Sequence, residues 1–415
     1  LQHDHVPNFY RVENTRSAPK LEDVAAETRR VMQESGTLEQ LKPGQSVCIA
    51  AGSREIANIA LIVRTVCEVV REHGAEPFII PAMGSHGGAT AEGQLEILRG
   101  YGVTEEFLGC PILSSMEVVQ VGETEEGMPV FVDHYAYQAD GVILCGRVKA
   151  HTAFRGPYES GILKMAVIGM GKQHGAEHVH QDGLSDLGRL LPMIARVIFD
   201  KVNILGAVAV AENAFDQTCI LEGLLKEEIF EKEPDILRRS KERLGKIFFN
   251  DIDVLVVDRL GKDISGDGMD PNITGRYAVP YMQSDKKIQH IAVLDLTEET
   301  HGNCNGLGLA DVTTRRVVEK IDVDCTYPNV VTSTVLCTPK IPLFTHTDRA
   351  CIQIALKTCN YIDRVKPRIV HIRDTMRLEE IEISEGMLEE ARANPMIEIL
   401  DEPREWPFDA EGNLW

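Results

Sequence analysis

The length, composition and charge of this 415-residue chain describe a globular protein and exclude several partners. Its 43% hydrophobic content suits a large core, and its length favours two domains. A net charge of −21 repels phosphate backbones and anionic lipid, so we expect no nucleic-acid and no membrane partner. We see neither an apolar run of membrane-spanning length nor an apolar signal core, and therefore expect a cytoplasmic protein. The ten cysteines include no C-x-x-C pair, which favours reduced, buried thiols.

Apolar strands alternate with helical patterns along the chain, which predicts an α/β fold. Thr90 is the predicted N-cap of the helix that ends at Leu98. The predicted elements are strand-to-helix patterns at 46–73 and 75–98, strands at 141–146, 204–210, 253–258 and 288–296, and helices at 184–200, 222–245 and 348–359. We interpret the charged helix at 222–245 as a solvated face.

A loop rich in Gly, Asp and Pro at 261–280 separates two predicted α/β domains. Residues 1–280 are expected to form the catalytic and cofactor-binding domain. Residues 281–415 are expected to form a second α/β domain, with its last segment packing back on the first. A cleft between two domains is a favourable place for a ligand, so we expect the active site there.

Polar clusters follow three predicted strands of the first domain. They are Ser53 with Arg54, Ser85 with His86, and Lys149 with His151. In open α/β sheets, ligands bind just beyond the carboxyl ends of the strands. The agreement of three loops predicts one site at that edge of the sheet.

Several familiar ligand motifs fail in detail. GPYESGIL (156–163) lacks the Lys and Ser or Thr of a phosphate-binding loop, and DISGDG (263–268) lacks a calcium loop's final glutamate, because its twelfth position is Thr274. GMGKQHG (169–175) is a weak dinucleotide match. A nicotinamide-type dehydrogenase and a non-catalytic metal- or nucleotide-binding protein remain alternatives.

Five stretches of the sequence form a distinctive set, namely AAGSREIANIA, PFIIPAMGSHGGATAEGQ, RVKAHTAFRGPYESGILKMAVIGMGK, GKDISGDGMDPNITGR and DLTEETHGNCNGLGLADVT. Through these stretches the sequence resembles the lactate racemase-like family, which uses a nickel-pincer nucleotide. The resemblance implies a racemase or epimerase that inverts the carbinol carbon of a 2-hydroxy acid by proton-coupled hydride transfer. The implied cofactor is a pyridinium-3-thioamide-5-thiocarboxylic acid mononucleotide carrying nickel, and its maturation enzymes are implied partners.

The resemblance assigns roles to individual residues of this chain. His86 and His151 match the family's two acid/base histidines, and Lys164 matches the lysine that carries the cofactor covalently. Arg54 matches an arginine of the family's first turn, and Ser53 and Lys149 are expected beside it at the cofactor. A neutral imidazole is suited to taking the hydroxyl proton, and racemisation needs one such base on each face of the carbon.

The remaining assignments concern the metal and the substrate. His180 stands sixteen residues beyond Lys164, as the family's nickel ligand does, with His178 and His174 as alternates. The segment from His151 to Lys164 is three residues longer than in lactate racemase, which predicts an acid larger or more polar than lactate. The residues expected to contact it are Arg155, Tyr158, His301 and Lys340. Without the resemblance, each histidine could instead be a structural or an exposed residue.

Overall fold

The computed structural model describes residues 6–14, 18–52, 56–181 and 183–415. The chain divides into two compact α/β units, which confirms the predicted fold class. One unit is formed by residues 18–244, and the other by residues 245–415 together with the N-terminal strand β1 (Phe9–Asn14). The division therefore falls at 244/245, and not near 280 as expected. The physical reason is that the strand at 251–260 pairs in parallel with the strand at 287–296, so a boundary at 280 would split one sheet.

The 18–244 unit is built on a five-stranded sheet with the order β3-β2-β6-β7-β8, in which only β8 runs antiparallel to its neighbour among the described strands. Two further strands, β4 and β5, form a separate antiparallel hairpin. The strands are β2 (Ser46–Ala51), β3 (Glu76–Pro81), β4 (Val118–Glu123), β5 (Pro129–Asp133), β6 (Gly141–Arg147), β7 (Ile204–Glu212) and β8 (Thr218–Leu225).

Helices cover both faces of this sheet, so its central strands are apolar on both sides. Along β6, Val142 and Leu144 enter one core while Ile143 and Cys145 enter the other. A π-helical stretch at Met165–Gly169 follows α6. The helices are α1 (Val24–Glu34), α2 (Ile59–Glu72), α3 (Ala91–Gly100), α4 (Glu105–Leu108), α5 (His134–Gln138), α6 (Ile162–Lys164), α7 (Lys172–His180), α8 (Leu187–Lys201) and α9 (Ile229–Arg243).

The second unit contains a mixed eight-stranded sheet with the order β12-β11-β10-β9-β13-β14-β1-β15. Its strands are β9 (Asp251–Leu260), β10 (Lys287–Leu296), β11 (Val312–Thr314), β12 (Leu343–Thr345), β13 (Ile369–Ile372), β14 (Glu380–Ser384) and β15 (Ile397–Ile399). Its helices are α10 (Pro271–Thr274), α11 (Arg315–Lys320), α12 (Val323–Ser333), α13 (Asp348–Thr358) and α14 (Leu388–Ala393). The last segment of the chain belongs to this unit and not to the first, because Trp406 packs edge-on against Phe9, with ring centroids 5.5 Å apart.

Most predicted elements are present, and Thr90 does cap α3, accepting a hydrogen bond of 3.0 Å from the Gly93 amide. The helix predicted at 222–245 is wrong at its start, since residues up to Leu225 lie in β8. There the backbone pairs with β7, and that pairing outweighs the local helical pattern. Among the described residues, the helices are all too short or too polar to cross a membrane.

Candidate active site

A cavity of about 130 Å³ opens beyond the carboxyl ends of β2, β3 and β6 in the 18–244 unit. His86 and Lys149 both line it, so two of the three predicted loops meet at this edge of the sheet. The third cluster, Ser53 and Arg54, lies outside the described residues. Among the described residues, the polar side chains that line the cavity are His86, Arg147, Lys149, Ser160 and Lys164. The described lining of this acidic protein thus places three cations around one cavity.

The loop that carries His86 joins β3 to α3 in a tightly packed turn. Gly84 and Gly87 both have positive φ angles, of 59° and 66°. A Cβ atom on Gly87 would lie 2.5 Å from the carbonyl carbon of Gly93 in α3, so only glycine fits there. The side-chain amide of Gln94 donates to the carbonyl oxygens of Gly84 and His86, at 2.8 and 3.3 Å. The backbone at His86 is therefore fastened to α3.

The loop that carries His151 is closed at its base, where the Lys149 amide donates to the Ser160 carbonyl at 2.8 Å. Inside the loop, the buried carboxylate of Glu159 accepts a hydrogen bond of 2.7 Å from the His151 amide. Lys241 of α9 reaches the other oxygen of this carboxylate at 2.6 Å. The histidine is thus anchored to a helix some ninety residues further along the chain.

The His151 ring is oriented by its own loop. Its Nδ1 accepts a hydrogen bond of 3.0 Å from the Ala153 amide, and its face packs on Phe154, with ring centroids 4.2 Å apart. Its Nε2 lies 3.0 Å from Nζ of Lys164. The second predicted acid/base histidine therefore lies directly beside the predicted tethering lysine.

Lys164 ends α6, and a buried carboxyl group holds this short helix. Glu233 of α9 is fully buried and accepts a hydrogen bond of 3.1 Å from the Leu163 amide. Burial raises the pKa of Glu233 to about 8. A Cβ atom on Gly161 would overlap Oε1 of Glu233, so the residue before α6 must be glycine. The π-helical stretch that follows is a feature often found at functional sites.

The three candidate metal-ligating histidines of α7 lie in different surroundings. His174 and His178 pack against the ring of Phe131, with ring centroids at 4.4 and 5.0 Å. His180 is partly buried, and its pKa is lowered to about 4, first by burial and then by the positive charge of Lys164. Its Nδ1 is buried and has no hydrogen-bond partner in the described part of the chain. Of the three, His180 offers a neutral imidazole with an unused nitrogen near Lys164.

Two predicted substrate contacts point elsewhere in the structure. Tyr158 donates its hydroxyl hydrogen to the Phe230 carbonyl at 2.7 Å, and burial raises its pKa. The guanidinium of Arg155 donates to the carbonyls of His151 and Phe154, at 2.6 and 3.1 Å. Neither is among the described residues that line the cavity. Both brace the His151 loop in this structure, and their contact with substrate remains a prediction.

The other two predicted substrate contacts, His301 and Lys340, lie in the unit formed by 245–415. Both are exposed, and His301 has a positive φ angle of 49° within a turn closed by its amide on the Glu298 carbonyl. Their role at a substrate stays a prediction.

Sequence reasoning missed several residues that shape the site. Arg147 lines the cavity and is ion-paired with Glu212 at the end of β7. Arg147 directly follows the strand predicted at 141–146, and this position could have marked it as a site residue. Glu233 and Lys172 are both buried, and the charged pattern around Glu233 resembles solvated surface, so the sequence carries little sign of its burial.

A second cluster of polar side chains surrounds His371, and carboxylates contact both nitrogens of its ring. In the 245–415 unit, His371 contacts Asp258 through Nε2 at 2.6 Å and Glu382 through Nδ1 at 2.5 Å. Burial alone would lower its pKa, but the two carboxylates outweigh burial and raise it to about 10. Both ring nitrogens are engaged, so this cluster is a structural ion-pair network.

Residues 5–187 match the family model described as the lactate racemase N-terminal domain. The resemblance to the lactate racemase-like family is thereby confirmed over the segment that holds His86, His151, Lys164 and His180. Among solved structures, the fold is similar to the lactate racemase apoprotein from Thermoanaerobacterium thermosaccharolyticum, with 12% identity, a TM-score of 0.49, and coverage of 82% of this chain and 87% of that one. It is also similar to a Thermotoga maritima protein, with 11% identity, a TM-score of 0.49, and coverage of 83% and 92%. No curated protein matches the sequence.

Proposed function

We propose that this protein is a racemase or epimerase of 2-hydroxy acids that works with a nickel-pincer nucleotide tethered to Lys164. One observation carries the proposal. His86 and Lys164 line one cavity, and His151, from a different loop, lies 3.0 Å from the same lysine. Two imidazoles from separate loops around one lysine are what a reaction on both faces of a carbon requires.

The residues present fit the proposed cofactor. No group of three His, Cys, Asp or Glu in the described ranges could hold a metal ion by itself. A pincer ligand would supply most of the donor atoms itself, so one protein imidazole would be enough to hold the nickel, and the unused Nδ1 of His180 would suit that role. Arg147 and Lys149 supply positive charge at the cavity for the nucleotide phosphate or the substrate carboxylate.

The cofactor, when bound, supplies an acceptor for the hydride of the carbinol carbon. The protein's own part is to move the hydroxyl proton and to orient the acid. His86 would exchange that proton on one face and His151 on the other. The Lys149 ammonium would hold the carboxylate so that the carbon stays in place while its configuration inverts.

A dehydrogenase receives no support from the glycine-rich segment GMGKQHG. Gly169 ends the π-helical stretch and Lys172 begins α7, so the segment does not form the turn between a strand and a helix that a dinucleotide fingerprint needs. The isomerase proposal is therefore favoured over the nicotinamide-dependent alternative.

The deciding experiment combines mass and stereochemistry. The protein is expressed with the maturation enzymes of the family, its intact mass and nickel content are measured, and it is incubated with enantiopure 2-hydroxy acids. We expect a nucleotide adduct on Lys164, bound nickel, and conversion of one enantiomer into the other by chiral chromatography. An adduct-free mass after that co-expression, or oxidation that depends on added nicotinamide dinucleotide, would contradict the proposal.

A further inference from the structure

We propose that Gln94 and Lys172 are positioning residues that hold the His86 loop against the segment carrying Lys164, and this inference rests on the proposed function. Both side chains are fully buried, with no exposed surface. Neither touches the cavity among the described lining residues. Their effect would be transmitted through the backbone at His86.

Lys172 is a buried ammonium group with several oxygen partners. Its Nζ donates to the Pro81 carbonyl at 2.5 Å and to Oε1 of Gln94 at 3.2 Å, and it lies 3.1 Å from Oδ2 of Asp133. A charge without solvent is costly unless it is paired and hydrogen-bonded, and these partners meet that condition. Burial nonetheless lowers the pKa of Lys172. The ammonium is thus tied to the end of β3, where the His86 loop begins.

Lys172 also decides which way the Gln94 amide faces. A lysine ammonium can only donate hydrogen bonds, so the amide oxygen of Gln94 must point toward it. The amide nitrogen then points toward the loop, where it donates to the carbonyls of Gly84 and His86. The lysine therefore acts on the histidine through the glutamine.

The same contacts join the loop to the chain that carries Lys164. Lys172 lies eight residues beyond Lys164, at the start of α7, with a positive φ angle of 55°. The Gly84 amide donates to the Gly169 carbonyl at 3.1 Å, and a Cβ atom on Gly169 would lie 2.7 Å from the Ala82 carbonyl oxygen. The two backbones are in close contact, so a loss of the Gln94 bonds should shift His86 relative to Lys164.

The test uses variants of the holoenzyme in which the hydrogen bonds from Gln94 to the His86 loop are removed. Gln94→Met removes both bonds to the loop, and Gln94→Glu removes them while keeping an acceptor for Lys172. Gln40→Met is a matched control, because the Gln40 amide also donates to a backbone carbonyl, that of Leu205 at 3.1 Å, in the same unit. A fourth variant, Lys172→Met with Asp133→Asn, removes both buried charges and keeps an oxygen to cap α5, where Asp133 accepts from the Tyr135 amide.

The first readout is the rate of cofactor reduction with each enantiomer in single-turnover mixing. A displacement of about 1 Å costs on the order of 100-fold in rate, so Gln94→Met should lose about 10- to 100-fold with one enantiomer. That enantiomer should be the one that His86→Ala also fails to oxidise, and the other should react normally. Gln94→Glu and the double variant should share this asymmetry, and Gln40→Met should not.

The second readout needs no activity. Hydrogen–deuterium exchange over residues 82–90 should be faster in Gln94→Met and unchanged in Gln40→Met. Unchanged exchange in Gln94→Met, or equal loss with both enantiomers, would overturn the positioning role while leaving the proposed function intact. A wild-type holoenzyme that interconverts no 2-hydroxy acid would overturn the proposed function and the catalytic part of this inference, whatever the exchange shows.

Discussion

Nζ of Lys164 and Nε2 of His151 lie 3.0 Å apart, although the two residues are thirteen positions apart in the chain. This contact joins the residue proposed to carry the cofactor to one proposed to move the substrate proton. Helix α9 supports both partners, since its Glu233 accepts from the Leu163 amide and its Lys241 binds the carboxylate that holds the His151 loop. The geometry of the site therefore depends on a helix that contributes no described side chain to the cavity.

Lys164→Arg should keep the fold and abolish the covalent adduct. Arginine retains the positive charge, but its delocalised guanidinium cannot form the thioamide that an amine can. Intact mass after co-expression with the maturation enzymes measures this outcome. Lys201→Arg, at the surface end of α8, is the matched control and should carry a normal adduct. An intact adduct and full activity in Lys164→Arg would refute the assignment of the tether.

His86→Ala and His151→Ala should each suppress net interconversion in both directions by about 10²- to 10⁴-fold, the usual contribution of one general acid or base. Because each histidine would serve one enantiomer, the variants should differ in the half-reaction. Stoichiometric mixing with each enantiomer, followed by cofactor absorbance, should show opposite preferences. Identical losses with both enantiomers would instead indicate a role in cofactor or metal binding.

His180→Ala should lose nickel while keeping the nucleotide adduct on Lys164. The reason is that its unused Nδ1 is the imidazole nitrogen suited to complete the metal site, whereas the adduct depends on the lysine alone. Metal analysis beside intact mass separates the two effects. His174→Ala is the control, because this ring packs on Phe131 and should not affect nickel content. Loss of nickel in His174→Ala but not in His180→Ala would instead assign the metal ligand to His174.

Glu233→Gln should change how stability depends on pH. The carboxyl pKa is about 8 in the folded protein against an ordinary value of 4.5, so the folded state binds the extra proton between these values. Wild-type stability should consequently fall as pH rises from about 4.5 to about 8, and level off above. The Glu233→Gln protein has no carboxyl group to titrate there. Its free energy of unfolding should therefore rise relative to that of the wild type by on the order of a few kcal/mol across that pH range.

Denaturant unfolding at pH 5 and pH 8.5 measures that difference directly. The matched control is Glu242→Gln, which changes an exposed carboxylate on the same helix, ion-paired with Arg238. The free energy of unfolding of this control, relative to that of the wild type, should not rise comparably between the two pH values. A pH-independent difference between Glu233→Gln and wild type would show that the Glu233 carboxyl titrates normally.

The sequence by itself determined the α/β class and the edge of the sheet where the site lies. Periodicity located β2, β3 and β6, and because the carboxyl ends of parallel strands meet at one edge, His86 and Lys149 were predictable neighbours. The glycines around His86 were also informative, since a positive φ angle and close backbone contact leave little choice of residue.

Only the tertiary structure decided which residues support that site. Glu233 and Lys241 reach it from about seventy to ninety residues away in the chain, and nothing in a charged amphipathic helix distinguishes a buried carboxyl from a solvated one. Arg155 and Tyr158 bond to backbone carbonyls in the folded loop, and these contacts have no signal in the sequence. The boundary at 244/245 likewise depends on pairing between β9 and β10. Local patterns report propensity and exposure along one element, whereas these contacts arise from packing between elements far apart in the chain.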